Sequence, residues 1–159
     1  MKLKIGVTGH QQRDGLDWLW VRSQIDRFLV GKPLIVGYSS LAAGTDQVFA
    51  EAILERAGKL VAVIPKDDYS SYFQDEALKN FQSLMTRAQI IDLHSIKADG
   101  GAFLDAGKWI AREVDRLVAV WDGEPAEGTG GTGDVVAYAL ALGKAVHLID
   151  PIKRTTADL

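Results

Sequence analysis

Cysteine is absent from the 159 residues, which excludes a disulfide framework and any thiolate-ligated metal site. Histidine is nearly as scarce. His10, His94 and His147 stand far apart, without the short spacing that brings two imidazoles onto one cation, so neither a metal nor a cofactor is expected. No apolar run approaches the length of a membrane span, and the one behind Met1-Lys2-Leu3-Lys4 is too short for a signal peptide. A cytoplasmic protein with no membrane partner is the expectation. Runs of five or more like charges are also missing, and the formal net charge is −3. Neither a basic face nor an acidic tail is announced, so nucleic acid reads as a disfavoured partner. Repeats, low-complexity tracts and interdomain linkers are lacking too. With 47% hydrophobic and 25% charged residues, the chain has the size and composition of one domain, read as residues 1–152 with a frayed tail at 153–159.

What is present alternates between two periodicities. Apolar, partly β-branched runs at 3–7, 34–38, 60–64, 117–121 and 145–149 read as strands, and a shorter one at 89–92 as a further candidate. Helical spacing fills the gaps at 16–30, 42–56, 70–88, 103–113 and 134–142, with Gly31, Gly58 and Gly143 as closing residues. Lys97-Ala98-Asp99-Gly100-Gly101 reads as an exposed loop. Strands that are apolar throughout and separated by helices mean a parallel sheet covered on both faces. The fold class is therefore α/β: a single doubly wound, Rossmann-like domain. In such sheets ligands sit beyond the carboxyl ends of the strands, where the strand order reverses.

Three loops meet at that edge if the first strand is central. The most informative is Glu127-Gly128-Thr129-Gly130-Gly131-Thr132-Gly133-Asp134, between a strand and a helix. Four glycines in seven positions let backbone amides approach a phosphate, beside the positive end of a helix dipole. The amides of Thr129, Gly130, Gly131, Thr132 and Gly133 are thus candidate ligand groups. Asp134 either stabilises the start of the helix or supplies a carboxylate beside a glycosidic carbon or ribose. The first loop, Gly6-Val7-Thr8-Gly9-His10-Gln11-Gln12-Arg13, has a sharp turn at Gly9, and Thr8, Gln11 and Arg13 suit phosphate or sugar oxygens. His10 reads as a polar binding or turn residue rather than a ligating one. The six-residue GxGxxG fingerprint is not there. In the second loop, Ser39-Ser40-Leu41-Ala42-Ala43-Gly44-Thr45-Asp46, the small residues Ser39, Ser40 and Gly44 let the backbone close over a ligand. Asp46 either caps a helix, points across to the first loop, or takes a ribose hydroxyl. Tyr38 and Trp121, ending strands at the same rim, are either stacking surfaces or core.

Together, Gly6-Val7-Thr8-Gly9-His10, the Ser39 to Asp46 element, and Gly128-Thr129-Gly130-Gly131-Thr132-Gly133-Asp134 followed by Val135-Val136-Ala137-Tyr138-Ala139 resemble the SLOG superfamily. It includes the Lonely Guy phosphoribohydrolases, which often carry the name lysine decarboxylase, and the DNA-processing protein A family. The resemblance runs from about residue 3 to 150. It implies a Rossmann-like domain that binds a nucleotide or nucleotide-derived small molecule, commonly as a homodimer. The phosphoribohydrolases carry Gly-Gly-x-Gly-Thr-x-x-Glu with an upstream arginine. Here Val135 stands at the glutamate position, and the arginine position falls near Asp105. Without that pair, a binding module or sensor is the leading expectation. The alternative is a hydrolase or transferase of N-glycosidic bonds that relies on Asp134. A surplus of large apolar groups over residues 70–113 (with Tyr69, Tyr72, Phe73, Phe81, Leu84, Met85, Phe103 and Trp109) points the same way as the family on oligomeric state, to a homodimer or higher homo-oligomer.

Overall fold

Every strand run in the sequence forms, and each is carried to the next by a helix. The computed structural model describes residues 2–125 and 131–159. In chain order these are β1 (Leu3–Gly9), α1 (Trp18–Leu29), β2 (Ile35–Ser39), α2 (Thr45–Glu55), β3 (Lys59–Ile64), a 3-10 turn (Tyr69–Tyr72), α3 (Asp75–Met85), β4 (Ala88–Asp92), α4 (Asp99–Glu113), β5 (Arg116–Val120), α5 (Thr132–Ala141), β6 (Ala145–Asp150) and β7 (Thr155–Asp158). The sheet order is β4-β3-β2-β1-β5-β6-β7. All neighbours are parallel except β6 and β7. The order therefore reverses at β1, between β2 and β5, and this is the Rossmann-like arrangement.

Alternation along each strand divides the core into two faces. Ile5, Val7, Ile35, Val118, Val120 and Ile149 turn toward α1 and α2, where Val21, Ile25, Phe28, Phe49 and Ile53 meet them. Val36, Tyr38, Val61, Val63, Leu117 and Ala119 turn the other way, toward Ile110 of α4 and Val135, Val136 and Ala139 of α5. Tyr38 is thus core. A satellite cluster covers the β3 end, where Leu60, Ala62 and Ile64 pack with Tyr69, Phe73, Phe81 and Leu84.

Four departures from the sequence reading have physical causes. The helix expected over 70–88 is broken, because Phe73 and Gln74 are extended between the 3-10 turn and α3. That break lets Tyr69 meet Phe73, Phe81 and Phe103 edge-on at centroid distances of 5.1, 5.6 and 5.8 Å. The expected loop at 97–101 instead opens α4 at Asp99, whose carboxylate accepts from Lys66 Nζ at 3.1 Å and from the Tyr72 hydroxyl at 2.5 Å. Tertiary anchoring overrides the poor helix propensity of Gly100 and Gly101 there. The expected frayed tail adds β7 to the free edge of β6, and His147 Nδ1 lies 2.7 Å from Asp158 Oδ1 across the pair. Finally, of the large apolar groups behind the homodimer expectation, Tyr69, Phe73, Phe81 and Leu84 are buried within one chain, while Tyr72 is exposed and Met85, Phe103 and Trp109 are half-buried.

One glycine fixes how the second loop meets the first. Gly44 precedes α2 at φ 82°, ψ −124°, a region in which side chains are strained. A Cβ there would collide with the Gln11 backbone carbonyl and come within 2.8 Å of the Trp18 ring. Gly44→Ala is expected to cost about 2 kcal/mol or more, lowering the melting temperature by roughly 4–8 °C in calorimetry. An unchanged melting temperature would contradict this close approach.

Candidate functional site

At the carboxyl ends of β1, β2, β3 and β5 the loops enclose a cleft of about 550 Å³. Its floor is the end of β1. Thr8, Gly9, His10, Gln11 and Arg13 all line it, and the turn they make is held from two sides. The His10 N–H donates to the Val120 carbonyl at 3.1 Å, and the His10 carbonyl accepts from the Thr45 hydroxyl at 2.8 Å and the Thr45 N–H at 3.2 Å. Gly9 permits this seating, because a Cβ at that position would fall 2.5–2.7 Å from the Thr45 side chain.

Asp122, just past β5, ties the first loop to the third. Its backbone N–H donates to His10 Nε2 at 3.2 Å, so the neutral ring carries its proton on Nδ1. Burial holds the His10 pKa below the ordinary imidazole value and Arg13 adds to the lowering, against the attraction of Asp122 Oδ1 at 3.3 Å. Burial opposes ionisation of Asp122, but the Glu124 N–H, His10 and Arg13 outweigh it and keep its pKa below the usual carboxylate value. Arg13 Nε lies 3.0 Å from Asp122 Oδ2, yet its N–H is not directed at that oxygen, and this buried nitrogen makes no hydrogen bond among the described residues. Distance makes an ion pair here without satisfying the donor.

The second loop contributes Ser40, Ala42, Ala43 and Asp46. Asp46 lies within the first turn of α2 rather than at its cap, which is Gly44, and among the described residues no contact carries it to the first loop. Its Oδ2 accepts from the Ala42 N–H at 3.3 Å. Burial pushes its pKa up to about 7, the Ala42 N–H working against the rise. Burial and the nearby Asp46 charge in turn raise the Tyr69 hydroxyl pKa. Ser39 is buried below the lining and braces the loop, accepting from the Leu41 N–H at 3.0 Å and donating to the Asp46 carbonyl at 3.1 Å.

On the far side of β2, Pro65, Tyr69, Tyr72 and Phe73 follow β3, and Phe103 comes from α4. Residue pattern alone does not mark this aromatic wall as part of a site. The signal lies in position: whatever follows a strand of a parallel sheet lies at its ligand edge. Opposite it stand Trp121, Glu124, Gly131 and Thr132. The Trp121 indole N–H donates to the Glu124 carbonyl at 2.9 Å, and its ring lies against Gly133. Of the remaining sequence candidates, Gly44 and Gly133 are packing positions outside the lining, and Thr129 and Gly130 lie outside the described residues. Asp134 is exposed in the first turn of α5 and is not among the lining residues. The helix buries Val135 and Val136, which turns the preceding position outward.

No protein-family model matches the chain, and no curated protein does. Solved structures do. DNA processing protein A from Streptococcus pneumoniae is 21% identical with a TM-score of 0.67, matched over 93% of this chain and 50% of that one. DNA processing protein A from Helicobacter pylori, described for its single-stranded DNA binding mode, is 16% identical with a TM-score of 0.68, over 93% and 65%. The Chlamydomonas rheinhardtii Moco carrier protein is 19% identical with a TM-score of 0.57, over 93% and 76%. At 16–21% identity these likenesses show a shared fold. The chain spans between half and two thirds of the length of the two DNA processing proteins.

These likenesses overturn the expectation that nucleic acid is excluded as a partner, since a protein with the same fold is described by how it binds single-stranded DNA. Net charge is the wrong quantity for that exclusion. Single strands are held by local cations and stacking rings in a groove, and a net charge of −3 says nothing of those. Among the described residues, no helix is long and apolar enough to cross a membrane.

The buried Asp46 makes stability depend on pH. Its pKa is higher in the folded chain than the ordinary 3.8, so its stabilising effect is complete below pH 3.8 and is lost as pH rises through about 7. Asp46→Asn keeps an acceptor for the Ala42 N–H without a charge. Thermal unfolding should show the variant more stable than the wild type at about pH 8, by up to about 4 kcal/mol, with the difference closing toward about pH 4. A gap independent of pH would contradict a raised Asp46 pKa.

Proposed function

We propose that the cleft binds a nucleotide or nucleotide-derived small molecule, its phosphate at the β1–β5 boundary and its ring system toward the aromatic wall. One observation carries this reading: the partly exposed Arg13 guanidinium and the β1 turn line the same cleft as Tyr69, Tyr72, Phe73 and Phe103. Anion and planar ring are thus provided for at opposite ends. The volume of about 550 Å³ falls within the range of small-molecule sites. The first turn of α5, with Gly131 and Thr132 at the cleft, adds the positive end of a helix dipole.

A binding or sensing role is preferred over glycosidic cleavage, because the carboxylate on which cleavage would rely, Asp134, is exposed and outside the lining. A second reading comes from the likeness to DNA processing protein A: the bound unit is one nucleotide of a single strand. Aromatic side chains stack any base, so the same wall serves both.

Titration calorimetry and thermal shift against nucleoside mono- and diphosphates, nucleotide sugars, cyclic nucleotides and oligothymidylate separate these readings. At a hundredfold excess over Kd, the true ligand stabilises by about 2.7 kcal/mol, a rise of roughly 5–10 °C for a domain of this size. Arg13→Gln should weaken binding by about tenfold or more. Preference for the oligonucleotide favours the strand reading. No stabilisation by any of these at millimolar concentration would contradict nucleotide binding.

A further inference from the structure

The strands set the spacing of the cleft. Across β3-β2-β1-β5, the Arg13 end of the site lies at the β1–β5 boundary, the Asp46 carboxylate above β2, and the aromatic wall beyond β3. With strands ~4.8 Å apart, the loop after β2 that carries Asp46 falls between the loop after β1 and the aromatic residues after β3. A nucleotide laid along this line has its groups in the same order: phosphate, sugar, base.

The middle group has an acceptor waiting for it. Asp46 is 9% exposed and lines the cleft, and among the described residues the Ala42 N–H on Oδ2 is the one hydrogen-bond partner of its carboxylate. Oδ1 accepts none from them. A largely buried carboxylate oxygen at the edge of a cleft favours a ligand that brings it a donor. Oδ1 is not among the buried atoms that lack a partner, so it keeps contact with the cleft that Asp46 lines, where a ligand hydroxyl can take the place of water.

Resting on the nucleotide reading, we infer that Asp46 is a specificity-determining residue that accepts a hydrogen bond from a ribose hydroxyl, making the site selective for nucleotides that carry the sugar hydroxyls over their dideoxy counterparts. A dideoxynucleotide, with neither hydroxyl, would leave Oδ1 without a donor under a bound sugar. Sites built to hydrogen-bond a hydroxyl reject ligands that lack it more strongly than apolar pockets reject an added group. The inference also bears on the strand reading, since DNA has no 2′-hydroxyl and, within the chain, no free 3′-hydroxyl.

The test is titration calorimetry of the full chain at about pH 8 with the four ribonucleoside 5′-monophosphates, their 2′-deoxy and 2′,3′-dideoxy forms, and the same set on Asp46→Asn. The expected result is that at least one ribonucleotide binds roughly 10- to 100-fold more tightly than its dideoxy form. In Asp46→Asn that ratio should fall below about threefold while dideoxynucleotide affinity changes little. Equal affinity of ribo and dideoxy forms for the wild type overturns the role of Asp46 and leaves nucleotide binding standing. A preference that persists undiminished in a folded Asp46→Asn overturns it as well. Binding by none of the twelve ligands overturns the inference for nucleoside monophosphates, and failure of the wider nucleotide panel with it overturns nucleotide binding as well. The comparison of ligands on the wild type decides the matter even if the variant does not fold.

Discussion

The His10 carbonyl, gripped by the hydroxyl and N–H of Thr45, is the contact on which the site depends. Two parallel strands end side by side in any doubly wound sheet, but their loops need not touch. Here the end of β1 is pressed onto the first turn of α2, and that approach is open only to a chain without side chains at Gly9 and Gly44. Once the first loop is so held, Thr8 to Arg13 line a floor instead of a mobile turn. Asp122 then fastens the same loop to β5 through His10 and Arg13. The helix-to-strand contact and the ion cluster are separate locks on one segment.

The locks come at an energetic cost borne by polar groups. Ser39, Thr45, Asp46 and Gln47 are buried in a chain that otherwise buries mainly apolar side chains. Ser39 and Gln47 are satisfied within the loop and its surroundings, Gln47 donating to the Leu41 and Ala77 carbonyls at 3.2 and 3.0 Å. Arg13 Nε is not, and the Asp46 carboxylate takes one hydrogen bond, from the Ala42 N–H. A partly exposed arginine and a largely buried carboxylate that both line one cleft give this edge the form of a binding site.

The fold is legible in the sequence because strands such as Leu60 to Ile64 are apolar on both faces, and only a parallel sheet between two helix layers buries both. The glycine and serine loops are legible because a turn at the ligand edge restricts residue type. The aromatic wall is not, since Tyr69, Phe73, Phe81 and Phe103 carry no periodicity of a site and their convergence depends on the extended break at Phe73 and Gln74. Asp122 escapes notice for a related reason: a lone aspartate after a strand reads as a turn, and its partners His10 and Arg13 lie on the opposite side of the sequence. The tail is hidden because polar Thr155 to Asp158 has no strand pattern of its own and takes its shape from the open edge of β6.

Crystallography of the protein with a bound nucleoside monophosphate is the most direct measurement. The predicted result is phosphate oxygens about 3 Å from the Arg13 side chain or the Gln11 backbone N–H, with the base against Tyr69, Tyr72 or Phe103. A nucleotide held elsewhere, such as the surface groove beside Trp109 and Arg112, with the cleft free of it, would contradict the assignment of this cleft as the ligand site.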